Sequence, residues 1–235
     1  MVSRIARKLK NVYNPDIARW IEDLNPPKSA VLVPLFFRHD DLRVLFTVRA
    51  AHLRSHGGEV TFPGGKANDS DANLTETALR EAGEEIGLPK DSVKSIVQAI
   101  PCLTNDLNSV APVIGFIDSR FEPVPNRSEV SHVFSMPLVN FLSKKNIHCI
   151  RQVPLYGNRG SNVYFKYKDN GETYTPSGIT AWISIMLASY IFDRSPDFKE
   201  FNQGCTSDDP QDIVKHVYNM YARAFNKNPF EKKHQ

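Results

Sequence analysis

An α/β fold, with a mixed sheet flanked by helices, is the class this sequence predicts. Three observations carry that expectation. Short β-branched apolar segments alternate with segments of helical period. The 235 residues suffice to bury one sizeable core, with no internal repeat or long linker. No apolar run reaches the ~20 residues needed to span a bilayer, so no transmembrane segment is expected.

In chain order, Ala30 to Phe37 and Val44 to Val48 read as strands joined by the polar hairpin turn Arg38-His39-Asp40-Asp41. Phe62-Pro63-Gly64-Gly65 closes a further apolar-alternating stretch. Paired glycines there let the backbone turn tightly and approach a ligand closely. A helix over Thr77 to Ile86 follows, with Ala78, Ala82 and Ile86 on one side. Ser70, Asp71 and Asn73 offer N-cap chemistry before it, and Gly87 with Leu88-Pro89 stops it. Gly83 inside the helix costs roughly 1 kcal/mol against Ala, so something else must hold the helix down. Val93 to Ile100 and Ala111 to Ile117 are further strands, with Thr104 to Ser109 between them. Pro137 to Leu142 begins a short helix, and Val163 to Tyr167 pairs with Tyr174 across Asp169-Asn170-Gly171. Helices over Thr180 to Asp193 and Pro210 to Ala224 end the chain. The division expected is an extension over 1–28, a domain over 29–193, and a helical segment over 194–235 packed on that domain.

The chemistry concentrates in Arg80-Glu81-Ala82-Gly83-Glu84-Glu85. On a helix Glu81, Glu84 and Glu85 stand at i, i+3 and i+4, with Cβ atoms about 5–6 Å apart on one face. Like charges that close repel, and a hard divalent cation such as Mg²⁺ or Mn²⁺ turns the penalty into attraction. Arg80 follows Glu76 and precedes Glu84 by four residues each, so it can bridge the two. Taken alone, such a run is as readily a solvated charged face. The glycine turn upstream shifts the balance towards a ligand site.

The whole unit, glycine turn, loop, helix with Arg-Glu-x-x-Glu-Glu, then Gly, resembles the Nudix box of hydrolases acting on nucleoside diphosphates linked to another moiety. The match over Arg80 to Leu88 is complete. Between Gly65 and Arg80 the loop is one residue longer than the general pattern, and the customary Glu is absent; Asp71 sits nearest its place. Residues 45–65, with Arg49, Arg54 and Gly58 at set distances before Phe-Pro-Gly-Gly, are similar to the extra signature of the coenzyme A diphosphatases, which share the longer loop. Pro101-Cys102-Leu103, Ser128-Glu129-Val130, Met136-Pro137-Leu138 and Gly178-Ile179-Thr180-Ala181 also fall where that family has similar segments.

That resemblance implies an α/β/α Nudix sandwich and hydrolysis of coenzyme A and acyl-CoA to 4′-phosphopantetheine, or its acyl form, and adenosine 3′,5′-bisphosphate. It implies Glu81, Glu84 and Glu85 as metal ligands for Mg²⁺ or Mn²⁺. Glu81 and Glu84 also stand as catalytic groups. Glu129 matches the later-loop glutamate used by several Nudix enzymes, so the general base is open between Glu81 and Glu129. Arg49 and Arg54 are the substrate-binding candidates by signature, because a diphosphate and a 3′-phosphate want Arg forks and backbone N–H groups. Lys66, directly after Gly64 and Gly65, is a further candidate for the diphosphate. His52 and His56 read equally as surface groups. Tyr156, Tyr164, Phe165 and Trp182 are more readily core than adenine platform.

Other classes recede on composition. The net charge of +3 is slight, and the basic groups collect at the ends: Arg4, Arg7, Lys8 and Lys10, then Lys227, Lys232 and Lys233. Neither end forms a basic stripe with interleaved aromatics, so nucleic acid is not an expected partner. Cys102, Cys149 and Cys205 have no metal spacing, which suits a reducing intracellular compartment. His148 beside Cys149 points to the opposite face of a strand and makes no nucleophile pair. Residues 2–10 lack acids and are amphipathic at helical spacing, as in a mitochondrial presequence or an ordinary solvated helix. The family's peroxisomal members keep the other organelle open, as is the cytosol. Two competing functions stand beside the first: a Nudix hydrolase of ADP-ribose or a dinucleotide, and a non-catalytic module on the same scaffold. The second usually loses the glutamates, and all three are present.

Overall fold

The structure, a computed structural model, describes residues 2–9, 14–104, 106, 108–155, 158–207 and 209–224. Helices α1 (Val2–Leu9) and α2 (Pro15–Asp23) precede strands β1 (Lys28–Arg38), β2 (Asp41–Arg49), β3 (Val60–Thr61) and β4 (Gly64–Lys66). Helix α3 (Leu74–Ile86) leads into β5 (Lys94–Gln98), β6 (Cys102–Leu103), β7 (Ser109–Phe116) and β8 (Val130–Pro137). Two ribbons follow, β9 (Ile147–Leu155) with β10 (Asn158–Phe165), and β11 (Tyr167–Asp169) with β12 (Glu172–Tyr174). Helices α4 (Gly178–Phe192) and α5 (Pro210–Ala224) complete the described chain.

Strand β1 is the centre of a mixed sheet ordered β3-β2-β1-β7-β5, with β4 on β1, β6 on β7 and β8 on β2. It runs antiparallel to β2 and parallel to β7, in register from Lys28 opposite Ser109 to Leu35 opposite Phe116. His39 and Asp40 both take positive φ in the β1–β2 turn, as a tight hairpin turn of right-handed strands requires. On one face of the sheet, Ala78, Ala82 and Ile86 of α3 pack on Leu32, Ala111 and Val113. On the other face α1, α2, α4 and α5 close a larger core around Phe46, Phe141, Phe165 and Met186. The layers are therefore α/β/α, as expected.

Several boundaries and elements differ from expectation. Helix α3 starts three residues early because Asn73, not Ser70 or Asp71, supplies the cap: its Oδ1 accepts from Glu76 N–H at 3.0 Å. Val163 to Phe165 belong to β10 and pair with β9, while Tyr167 to Asp169 pair with β12 across the Asn170-Gly171 turn. Strands β8 and β9 were not expected, since Ser, His, Arg and Pro interrupt their apolar runs. Helix α1 is not a freely solvated helix. Ile5 and Leu9 are buried, and Lys8 Nζ reaches the Ile191 carbonyl at 3.2 Å and the Asp193 carboxylate. A cation there also faces the negative end of α4. The basic residues Lys10, Lys227, Lys232 and Lys233, and Tyr156, lie outside the described residues. No helix among the described residues is long and apolar enough to cross a membrane.

Of the three thiols, Cys102 is buried, and desolvation pushes it up to about 12. A maleimide at neutral pH is expected to leave Cys102 unmodified in the folded protein and to modify it after denaturation, as peptide mass mapping would show.

Candidate active site

Arg80 organises the acidic helix. Its Nε donates to Asp71 Oδ1 at 2.9 Å and its Nη2 to Asp71 Oδ2 at 3.1 Å, a bidentate fork. Nη2 also donates to the Lys66 carbonyl at 3.1 Å, while Nη1 reaches Glu81 Oε1 at 2.9 Å and Glu84 Oε2 at 3.1 Å. Asp71 further accepts from Thr77 Oγ1 at 2.9 Å and from the Asn68 N–H at 3.0 Å. The Arg80 fork holds the Asp71 carboxyl well below the usual carboxylate range, and Asp71 in turn raises Arg80. The expected Glu76–Arg80 bridge is absent, because the shorter Asp71 takes the guanidinium; Glu76 lies 3.9 Å from Lys90 instead. A short acid on the lengthened loop thus anchors Arg80.

Glu81 and Glu85 point inward from the same helix. Glu85 is only 2 % exposed, and the Gly64 N–H donates to its Oε2 at 3.2 Å. Burial pushes its carboxyl up to about 8, with the Gly64 N–H opposing and the Glu81 and Glu129 charges adding to the rise. Burial also raises Glu81, against the pull of Arg80. The two glycines have distinct tasks. A Cβ on Gly64 would lie 2.4 Å from the Ala30 carbonyl oxygen and 2.6 Å from Val31 Cα, so Gly64 lets β4 close onto β1. A Cβ on Gly65 would lie 2.5 Å from the Glu81 carboxyl carbon, so Gly65 makes the space that carboxylate fills. Both of these approaches are to the protein's own atoms.

Opposite this pair, β2 delivers Arg49. Its charge acts favourably on Glu85, and its Nε–H is buried without a hydrogen-bond partner. Such a donor is costly unless an anion receives it. The Ala50 N–H donates to the Glu129 carbonyl at 2.8 Å, bringing the loop with half-buried Glu129 to the end of β2. Glu129 is close enough to raise both inner glutamates. Arg49 and Glu129 are thus brought together with Glu81 and Glu85. Arg54 is not: it is exposed on the loop 50–59, as are His52 and His56, the latter 3.0 Å from Glu59. The Lys66 side chain is exposed too, and only its carbonyl joins the cluster. An apolar hollow of about 50 Å³ between α4 and α5, lined by Trp182, Met186, Val214 and Tyr218, holds no acid or base and lies apart from this chemistry.

The three box glutamates do not converge on one point. Glu84 is 55 % exposed and turned to Arg80, and no group of three acidic, imidazole or thiol side chains among the described residues is set to enclose a metal. The all-oxygen pair Glu81 and Glu85 nevertheless fits a hard divalent cation. Two neighbouring carboxylates, one nearly fully buried and one half-shielded, have their proton affinity raised chiefly by burial despite the nearby arginines, and a cation would offset that cost.

A nearly buried and a half-buried carboxylate on one helix, behind a glycine turn and facing an unpaired arginine N–H, suit a divalent cation and an anionic ligand within an α/β/α frame. Comparison with known proteins places it further. A family profile described as NUDIX domain matches residues 26–147. The chain is 38 % identical over 186 residues to the mouse "Peroxisomal coenzyme A diphosphatase NUDT7", covering 78 % of each. It is 40 % identical over 178 residues to the Arabidopsis thaliana "Nudix hydrolase 15, mitochondrial", covering 74 % of this chain and 62 % of that one. Among solved structures, a MutT/nudix family protein from Enterococcus faecalis aligns with a TM-score of 0.45 and 14 % identity, over 84 % of this chain and 81 % of that one. The chain belongs to the NUDIX domain family and is a Nudix hydrolase. Hydrolases of this family generally need divalent metal ions.

Proposed function

We propose that this protein hydrolyses the diphosphate of coenzyme A and acyl-CoA, releasing 4′-phosphopantetheine or its acyl form and adenosine 3′,5′-bisphosphate. The observation that carries the chemistry is the placing of half-buried Glu81 and buried Glu85 with the unpartnered Arg49 N–H. The substrate assignment draws on the signature spacing of Arg49 and Arg54 before Phe-Pro-Gly-Gly, and on the mouse relative's name.

Glu81 and Glu85 would hold the metal, Mg²⁺ or Mn²⁺, with Glu84 on the same helix as the third ligand. The ion supplies charge neutralisation on the diphosphate. Arg49 offers its free Nε–H to a phosphate oxygen and stabilises charge that develops there. Glu129 or Glu81 takes the proton from the attacking water, each offering a carboxylate at the cluster. Arg54 and Lys66, exposed beside the site, receive the outlying phosphates. Gly64 and Gly65 shape the floor. The names of the two relatives support placement in peroxisomes or mitochondria, with the cytosol as the alternative, and imaging of the tagged protein checks it.

The test is a panel of coenzyme A, dephospho-coenzyme A, ADP-ribose and a dinucleotide, with products identified by mass. Coenzyme A should be preferred over the form without the 3′-phosphate by about tenfold or more in kcat/KM. Indifference to that phosphate would hand the assignment to ADP-ribose or dinucleotide hydrolysis. Arg54→Ala is expected to raise KM for coenzyme A by about tenfold while changing that for ADP-ribose by less than about twofold. Equal effects would remove Arg54 from the 3′-phosphate.

A further inference from the structure

The segment 118–129 runs from β7 to β8 and lies over the end of α3. Its backbone is fastened there at two points: the Val124 N–H donates to the Ile86 carbonyl at 2.9 Å and the Asn126 N–H to the Glu85 carbonyl at 2.9 Å. Those carbonyls are among the last of the helix and have no partner within it. Asn126 is then used four more times. Its carbonyl accepts from the Glu129 N–H at 2.9 Å and from the Val130 N–H at 2.8 Å. Its Oδ1 accepts from the Ser128 N–H at 3.2 Å and from Ser128 Oγ at 2.6 Å, closing an Asx turn. Those two donors fix which way the amide points, so Nδ2 is the end directed at Glu129, 3.5 Å from Oε1.

One residue therefore joins the backbone of metal-holding Glu85 to both the backbone and the carboxylate of Glu129. We propose that Asn126 is the positioning residue that sets Glu129 against the α3 glutamates. The inference deepens the reading above and rests on Glu129 taking part in the reaction. On the opposite side the Glu129 carbonyl is held by the Ala50 N–H, so the amide of Asn126 governs the freedom left to the carboxylate. Nδ2–H donates to the carboxylate, favours the rotamer facing the cluster, and tightens as the site fills.

Two substitutions separate this role from mere turn closure. Asn126→Asp keeps the Oδ1 acceptor for Ser128 and the backbone bonds but removes the donor to Glu129. Asn126→Ala removes both. Both should lower kcat by at least roughly tenfold with KM within about twofold. Asn126→Asp should retain the wild-type melting temperature, and Asn126→Ala should lose some of it. In a Glu129→Gln background, Asn126→Asp should cost no further activity. Wild-type kcat for Asn126→Asp, or an equal loss in the Glu129→Gln background, would overturn the role of Asn126. Full activity of Glu129→Gln alone would instead overturn the participation of Glu129.

Discussion

Glu85→Gln is expected to abolish turnover and, in metal-free protein, to raise the melting temperature. The two effects have one cause. Glu85 is 2 % exposed, and its carboxyl stands at about 8 against an ordinary 4.5, burial being the main reason. A carboxyl raised in the folded state binds more protons folded than unfolded. Its cost is therefore absent below pH 4.5, grows as pH rises, and is complete above about pH 8. At pH 7 that cost is on the order of 3 kcal/mol. A neutral amide of the same shape removes it, and a gain of roughly 6–12 °C at pH 7 is expected, vanishing near pH 4.5. Added Mg²⁺ should stabilise the native protein and leave the variant unmoved. Turnover should fall on the order of a thousandfold or more, because a ligand for the activating ion is gone. Melting curves across pH with and without Mg²⁺, beside a rate assay, check both arms. A variant that melts lower than the native protein at pH 8, or that turns over normally, would contradict the assignment.

The second large effect is a contrast between neighbours. Gly65→Ala places a methyl group 2.5 Å from the Glu81 carboxyl carbon. That carboxyl is the far end of a flexible side chain and can swing aside, so the fold survives and the chemistry does not. A loss of roughly a hundredfold in kcat is expected, with stability changed by less than about 1 kcal/mol. Gly64→Ala meets the Ala30 carbonyl oxygen at 2.4 Å and Val31 Cα at 2.6 Å. Backbone cannot swing aside, so β4 must part from β1, at roughly 2–4 kcal/mol. Urea unfolding and kinetics on both variants would expose the difference. Equal loss of stability in the two would show that Gly65, like Gly64, serves the sheet.

Much of this site is legible in one dimension. The i, i+3, i+4 spacing of Glu81, Glu84 and Glu85 needs only helical periodicity, and the alanine stripe beneath it marks which face is buried. The glycine pair is legible as a tight turn before the helix, and Arg49 through the resemblance to the coenzyme A diphosphatase signature. What escapes depends on contacts between distant segments. Asp71 takes Arg80 across nine positions because the intervening loop folds back, a closure no periodicity reports. Glu84 looks equivalent to its neighbours in sequence, yet an arginine one turn earlier draws it to the surface. Asn126 gives no signal at all: an Asn two residues before Ser reads as an ordinary turn, and only the approach of that turn to the end of α3 makes it special. Strand β8 hides for a similar reason. Its Ser131, His132 and Ser135 are acceptable because β2 covers one edge, a fact about pairing rather than composition.

The parallel pairing of β1 with β7 has a consequence for biogenesis. Residues 28 to 35 meet residues 109 to 116 only after everything between them has been looped out, the glutamate helix included. Closing so wide a loop is slow. A ribosome-bound chain that has emerged only as far as Ile86 owns all three box acids and the glycine turn against them, yet lacks β7 and the Glu129 loop beyond. Glu129 therefore joins the cluster only late in assembly.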